Sequence, residues 1–284
     1  SAQLKKLEEQ LNVTLFDRSQ RQATPTPIGR EIIAQARLAL EEAHKIQEIA
    51  LQQLDPMQGT LRVGVIPTLG PYLMPRLLAE LRFSHPGLRL FLREDLTEHL
   101  VRQLRSGHLD LLLLALPIRH EGLETLALFE EPFQVALPAD HPLTERNQIG
   151  ESDLQEHRIL LLEEGHCLRD QALAICESPQ VIEEFAATSL ETLRQMVALG
   201  IGLTLLPELA IRFSQMTAYR HWIQIRPFAP PAPARTIGLV WRRQFPRQGA
   251  IKTLAALIQQ ALPPDLGQAR PCSPNRLIVD PLPQ

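Results

Sequence analysis

Apolar residues first recur with helical spacing. Leu4, Leu7 and Leu11 share one face of residues 1–11, while Lys5, Lys6, Glu8 and Glu9 fall elsewhere, which predicts an amphipathic helix. Asn12 and Val13 interrupt it, and residues 13–18 and 21–24 read as two short extended arms around a polar turn. Thr26-Pro27 opens a second helix, because proline's fixed backbone suits the first helical position. That helix runs to about Leu54 without a break after Gly29. Ile32, Ala36, Ala39, Ala43, Ile46 and Ala50 keep a helical rhythm in it that Ile33, Leu40 and Ile49 widen. The short flanks cannot cover so long a stripe, which predicts pairing with a second copy of the chain.

Beyond Gly59 the pattern changes to short apolar runs between helical segments. Residues 61–66, 88–93 and 109–116 read as buried strands, with a helix from the 67–71 punctuation through Phe83 and another over 97–106. A second series has strands at 133–138, 158–162, 183–187 and 201–206 and a helix from Ser189. A strand at 236–241 and a helix at 247–262 close the pattern. Thr188-Ser189-Leu190-Glu191 has the form of a capping box with Thr188 as the cap, and Gly200 suits a helix end. Such alternation predicts an α/β fold with a parallel sheet and ligands at the carboxyl ends of its strands. The expected organisation is two lobes over 58–262, crossed near Glu131 and near Ile237. Lobe I takes 58–131 and 237–262, and lobe II takes 132–236. The Pro-rich residues 263–284 are expected to form a disordered tail.

Composition narrows the setting more than the function. The 284 residues are 44% hydrophobic, enough for an ordinary core, and a net charge of -3 selects no partner. There is no apolar run of roughly 18 residues, and the start has neither a charged n-region nor an apolar h-region, so nothing predicts membrane insertion or export. Three cysteines, an odd number, argue against a secreted disulfide scaffold and for a reducing, cytoplasmic compartment. Ser1 already lies inside a helical pattern, and the expectation is a chain that has lost N-terminal residues.

Chemistry concentrates in residues 163–176, EEGHCLRDQALAIC, which hold two of the three cysteines. From Leu168 onward the residues are good helix formers, and Gly165-His166 marks a start. Cys167 and Cys176 on one helix are half a turn out of phase and about 13 Å apart along its axis. A disulfide needs Cα atoms within roughly 7 Å. The two thiols pair only if the segment is remodelled, which makes it a candidate two-state element. The plainer alternative is one core cysteine and one incidental one. Cys167 falls in or beside the first helical turn, where unpaired N–H groups favour a thiolate. His166 and Arg169 can add positive charge, and Glu163 and Glu164 push the other way, so the sign of any shift stays open. His166 and the cysteines are too few and too widely spaced for a zinc site. No metal or other cofactor is expected.

The run LKKLEEQLNVTLFDRSQRQATPTPIGREIIAQA, with a leucine-spaced helix and then L-F-x-R and T-x-x-G, resembles the LysR family of bacterial transcription regulators. The resemblance implies that 1–27 is the back of a winged helix-turn-helix DNA-binding domain. It also implies a linker and dimerisation helix at 28–57 and a periplasmic-binding-protein-like effector domain at 58–262. Lys5, Lys6, Arg18 and Arg21 become the implied DNA-facing residues, in a stretch that is otherwise only mildly basic. VIPTLGPYLMP, GHCLRDQA and FAATSLETLRQMVALGIGLTLLP are similar to the peroxide-sensing branch of that family.

By that resemblance Cys167 is the peroxide-reactive cysteine and Cys176 the resolving one, joined reversibly as a disulfide. His166 and Arg169 tune or hold the reactive sulfur, and Thr68, Thr97 and Arg235 line the peroxide pocket. Read alone, Thr68 closes a turn, Thr97 caps a helix and Arg235 is an edge-strand surface charge. The implied partners are promoter DNA, hydrogen peroxide, RNA polymerase, a reductant such as glutaredoxin or thioredoxin, and further copies in a homodimer or homotetramer. Two readings compete with it. One is a LysR regulator that holds a small-molecule effector between its lobes and has inert cysteines. The other is a thiol peroxidase or other enzyme, for which no catalytic signature is present. Cys272, in the tail, is expected to be a bystander.

Overall fold

The computed structural model describes residues 2–17, 23–52, 55–118, 120–176, 180–213 and 220–266. The chain divides into two compact units, Ser1–Pro56 and Met57–Gln284. In the first, α1 (Ala2–Leu11) stops at Asn12, whose φ of 52° is left-handed. The Glu8 carboxylate accepts from the N–H groups of Leu15 at 2.8 Å and Phe16 at 3.2 Å, and so fastens the following arm to the helix. The arms are β1 (Phe16–Asp17) and β2 (Thr24–Pro25), an antiparallel pair. Thr26 Oγ1 accepts from Gly29 N at 3.0 Å at the start of α2 (Pro27–Gln52) and donates to the Thr14 carbonyl at 2.7 Å. A β-carbon on Gly29 would lie 2.1 Å from the Leu15 oxygen, so only glycine lets helix and arm approach this closely. Of the expected stripe on α2, Ala36, Ala39 and Leu40 are exposed and Ile32 and Ile33 only partly buried, so in the single chain these positions stay open. Leu54, the expected helix end, lies outside the described residues.

The second unit is built on β3 (Gly59–Val65), α3 (Gly70–Ser84), β4 (Leu88–Glu94), α4 (Thr97–Arg105) and β5 (Leu111–Leu116). Next come the long β6 (Leu123–Pro138), β7 (Arg158–Leu162), α5 (Cys167–Ile175), β8 (Gln180–Ala187) and α6 (Leu190–Ala198). The chain continues through β9 (Thr204–Pro207), α7 (Glu208–Arg212), β10 (Ile223–Pro227), β11 (Ala234–Arg242) and α8 (Gln248–Ala261). As the alternation predicts, β4, β3 and β5 are parallel. Leu111 to Leu114 are fully buried, the pattern of a strand covered on both faces. β11 and β6 join this end antiparallel, and the far half of β6 carries β10 and β9. β7 bridges from Ile159 to Leu203, the residue before β9, and β8 runs parallel to β7.

Several sequence expectations are corrected. The strand expected at 133–138 begins at Leu123, after a Gly122 turn with φ +80°. Pro132 sits where β6 exchanges neighbours, and the next N–H, of Phe133, bonds the Pro233 carbonyl at 2.9 Å. Ser189, not Thr188, caps α6, its Oγ accepting from Thr192 N at 3.2 Å; Glu191 is thereby released from capping. β9 starts at Thr204 rather than Ile201, because the chain leaving α6 still turns there, with Ile201 N bonded to the Met196 carbonyl. α7 and β10 were not expected. The supposed tail is ordered at its start: Leu266 is buried, and Asp265 accepts from Arg212 at 2.8 Å. Cys272 lies outside the described residues.

Candidate functional site

β7 delivers the chain to the site. Beyond Leu162 the turn passes through Gly165, whose φ is +91° and where a β-carbon would stand 3.0 Å from Leu96 at the head of α4. Glycine lets that turn close. His166 then caps α5 with extended backbone, and Cys167 is the helix's first residue. Cys176 follows the last turn, its N–H bonded to the Ala172 carbonyl at 3.0 Å. Both are free thiols, Cys167 half-buried and Cys176 fully buried. The uninterrupted helix between them keeps the sulfurs apart, as the spacing requires.

The two ends of α5 differ in chemistry. Burial pushes the Cys167 thiol up from its ordinary value, against the pull of the Arg235 guanidinium, a hydrogen bond with the Thr97 side chain and the Leu168 amide. Asp170 adds to the rise. At Cys176, burial and then the charge of Glu151 push the thiol up to about 12. Cys167 alone has polar groups that favour a thiolate.

Arg235 reaches the site from β11, at the point where that strand pairs with Glu131 of β6. Both side chains are wholly buried, with Arg235 Nη2 2.8 Å from Glu131 Oε2. Nε donates to the same oxygen at 2.8 Å. Nη1 donates to Thr68 Oγ1 at 2.8 Å and Nη2 to the Thr68 carbonyl at 3.1 Å. The other Glu131 oxygen accepts from Leu209 N at 2.8 Å, in the first turn of α7.

Thr97 and Arg235 thus act on Cys167, and Thr68 is held on the Arg235 guanidinium. Thr97 does not cap α4; Leu96 holds that position and Thr97 is the first helical residue. His166 is buried, and burial lowers its pKa against the opposing charge of Glu163, so the imidazole is neutral near pH 7. Arg169 Nη1 donates to the Leu162 carbonyl at 3.1 Å and ties α5 back to β7. In the other unit Lys5 and Lys6 are exposed, Lys5 Nζ 4.0 Å from Glu9, whereas Arg18 and Arg21 lie outside the described residues.

Sequence reasoning named Glu131 only as a crossing point. A carboxylate between Phe129 and Phe133 was the available signal, since a charge in a buried strand needs a partner. It also missed the Tyr72 hydroxyl donating to Glu191 at 3.0 Å, which joins α3 to α6.

Residues 1–30 match the bacterial regulatory helix-turn-helix protein profile of the lysR family, and residues 55–263 match the LysR substrate binding domain. The chain is 41% identical over 262 residues to the hydrogen peroxide-inducible genes activator of Dickeya chrysanthemi, covering 92% of this chain and 85% of that one. It is 42% identical over 261 residues to the DNA-binding transcriptional dual regulator OxyR of Escherichia coli K12, covering 91% and 85%. A solved full-length OxyR variant from Pseudomonas aeruginosa superposes with a TM-score of 0.72 at 39% identity, over 96% of this chain and 88% of that one. The chain belongs to the LysR family of bacterial transcription regulators, in the branch of the OxyR-type hydrogen peroxide-inducible genes activators.

Proposed function

We propose that the chain is a cytoplasmic DNA-binding regulator, not an enzyme, that senses hydrogen peroxide through a reversible Cys167–Cys176 disulfide and controls oxidative-stress genes. The observation that carries this reading is the contrast within α5. A half-buried thiol with Thr97 and Arg235 beside it stands at one end, and a fully buried thiol at the other. The Cys167 thiolate attacks one peroxide oxygen; an S–O bond forms, the O–O bond breaks, and the departing hydroxide takes a proton to become water. After α5 unwinds, the Cys176 sulfur attacks the sulfenic sulfur, the S–S bond forms and a second water leaves. A dithiol reductant such as glutaredoxin or thioredoxin reverses this by exchange.

The cysteine segment is the bistable element; closing the bridge stabilises the remodelled lobe of the two-lobed 58–262 domain, and the subunits repack on promoter DNA for RNA polymerase. Lys5, Lys6, Arg18 and Arg21 face DNA, and the open stripe of α2 pairs copies into at least a dimer, with a tetramer as the larger assembly. Peptide mass mapping before and after substoichiometric peroxide tests the switch. The expected product is an intramolecular Cys167–Cys176 bridge with Cys272 outside it. Cys272 as the main partner of Cys167 would sink the assignment, and an unchanged thiol count would favour a small-molecule effector between the lobes.

A further inference from the structure

We propose that Glu131 is a positioning residue for the thiol chemistry. Its carboxylate holds the Arg235 guanidinium against the Thr68 turn and masks part of the positive charge that Arg235 presents to Cys167. This rests on reading Cys167 as the reactive cysteine and adds a residue that controls its reactivity.

Neither Arg235 nor Glu131 reaches solvent, so water does not damp their interaction, and their charges act at short range on whatever is packed beside them. Glu131 uses both oxygens, one on Arg235 and one on the Leu209 amide. The guanidinium is therefore gripped along its Nε–Nη2 edge, leaving Nη1 for Thr68 Oγ1. A planar fork held on two sides cannot swing.

The groups that act on the Cys167 sulfur come from several elements. Arg235 comes from β11, Thr97 from α4, and Asp170 and the Leu168 amide from α5 itself. Arg235 also acts on the Tyr72 hydroxyl of α3, together with Glu191 and Arg194 of α6. His166, the residue before Cys167, has its pKa lowered by burial, with Glu163 opposing. Arg235 is the full positive charge in the group that acts on Cys167, and Glu131 is the anion bound directly to it. How strongly the thiolate is favoured therefore depends on both.

The test is the pH dependence of Cys167 alkylation by iodoacetamide in the reduced full chain, with its peptide quantified by mass spectrometry. Glu131→Gln keeps the shape and removes the anion. The expected result is a midpoint lower by about one pH unit, read as an approximately tenfold faster reaction near pH 7. An unchanged or raised midpoint overturns the proposal. Glu131→Asp keeps the charge and alters the packing; its rate should stay within about threefold of the parent. A shift as large as that of Glu131→Gln would show that charge is not the cause, and would also overturn it.

Should Glu131→Gln not fold, Glu131→Leu with Arg235→Met removes both charges. A midpoint close to the parent's is then expected, and a rise of a full pH unit would mean that Arg235 had acted unmasked. Alkylation requires neither peroxide nor Cys176. Failure of this shift leaves the disulfide reading standing, and failure of the peroxide mapping leaves the alkylation result valid.

Discussion

The two ends of α5 carry the same side chain in opposite settings. Cys167 starts the helix, half-buried, with the Thr97 side chain and the Leu168 amide on its sulfur and Arg235 nearby. Cys176 closes it, fully buried, with burial and the charge of Glu151 both acting against ionisation. Burial raises both thiols, but only at Cys167 do neighbouring groups pull the other way, and the two lie about 13 Å apart along the axis. The difference shows that how easily each thiol ionises depends on what other strands and helices bring to each terminus. The helix start contributes a single amide, whereas Thr97 and Arg235 arrive from 70 and 68 residues away.

The contrast is broken most completely by removing the favoured thiol. Cys167→Ser should abolish peroxide-dependent disulfide formation, since the buried Cys176 has no comparable donors. Non-reducing peptide maps should show both remaining thiols unmodified at stoichiometric peroxide. A Cys176 sulfenic acid formed at the parent's rate would show the two ends to be equivalent. Cys176→Ser should instead leave oxidation of Cys167 intact and remove its partner, so that a dimedone-type probe labels a persistent sulfenic acid at Cys167. Equal loss of labelling in both variants would contradict the assigned order of attack.

A smaller effect sharpens the comparison at the reactive end. Thr97→Val removes one hydrogen bond to the sulfur and retains the side chain's shape. A single such bond contributes about 1 kcal/mol. Because it favours the charged form, its loss should raise the alkylation midpoint and slow Cys167 labelling near pH 7 by about fivefold. Faster labelling in this variant would show that Thr97 shields the sulfur instead of stabilising the thiolate.

Much of this was legible in the sequence, unevenly. Helical spacing located α1 and α2, because the apolar pattern repeats along each, and helix-forming residues located the segment between the cysteines. The apolar runs of β3, β5 and β7 were equally plain. The course of β6 was not, since Glu130, Glu131 and Pro132 look like an interruption until the buried partner of Glu131 is known. Capping went to Ser189 rather than Thr188 because both residues can cap and only the backbone decides. The pocket was legible by resemblance alone. Nothing local tells that Arg235, in a strand read as an edge, has its side chain fully buried against Thr68. The weight on His166 and Arg169 was also a local reading. Burial neutralises the first, and the second is bound to the Leu162 carbonyl.

The smallest expected effect concerns the resting end of the helix and appears in stability. Burial and Glu151 raise the Cys176 thiol to about 12 in the fold, while an unfolded cysteine ionises near about 8.5. The folded state therefore keeps its proton after the unfolded chain has lost its own. This contribution to stability is fully present below about pH 8.5 and is lost progressively as pH rises toward the folded value. At pH 9.5 the loss should be about 1 kcal/mol. Urea unfolding of the reduced chain at pH 7.0 and 9.5, in the parent and in Cys176→Ala, isolates it, because every other titrating group is common to both. The variant starts lower, having lost a buried sulfur, but should lose about 1 kcal/mol less than the parent between the two pH values. Parallel losses would mean that Cys176 ionises as readily in the fold as out of it, and the contrast between the two ends of α5 would then rest on exposure alone.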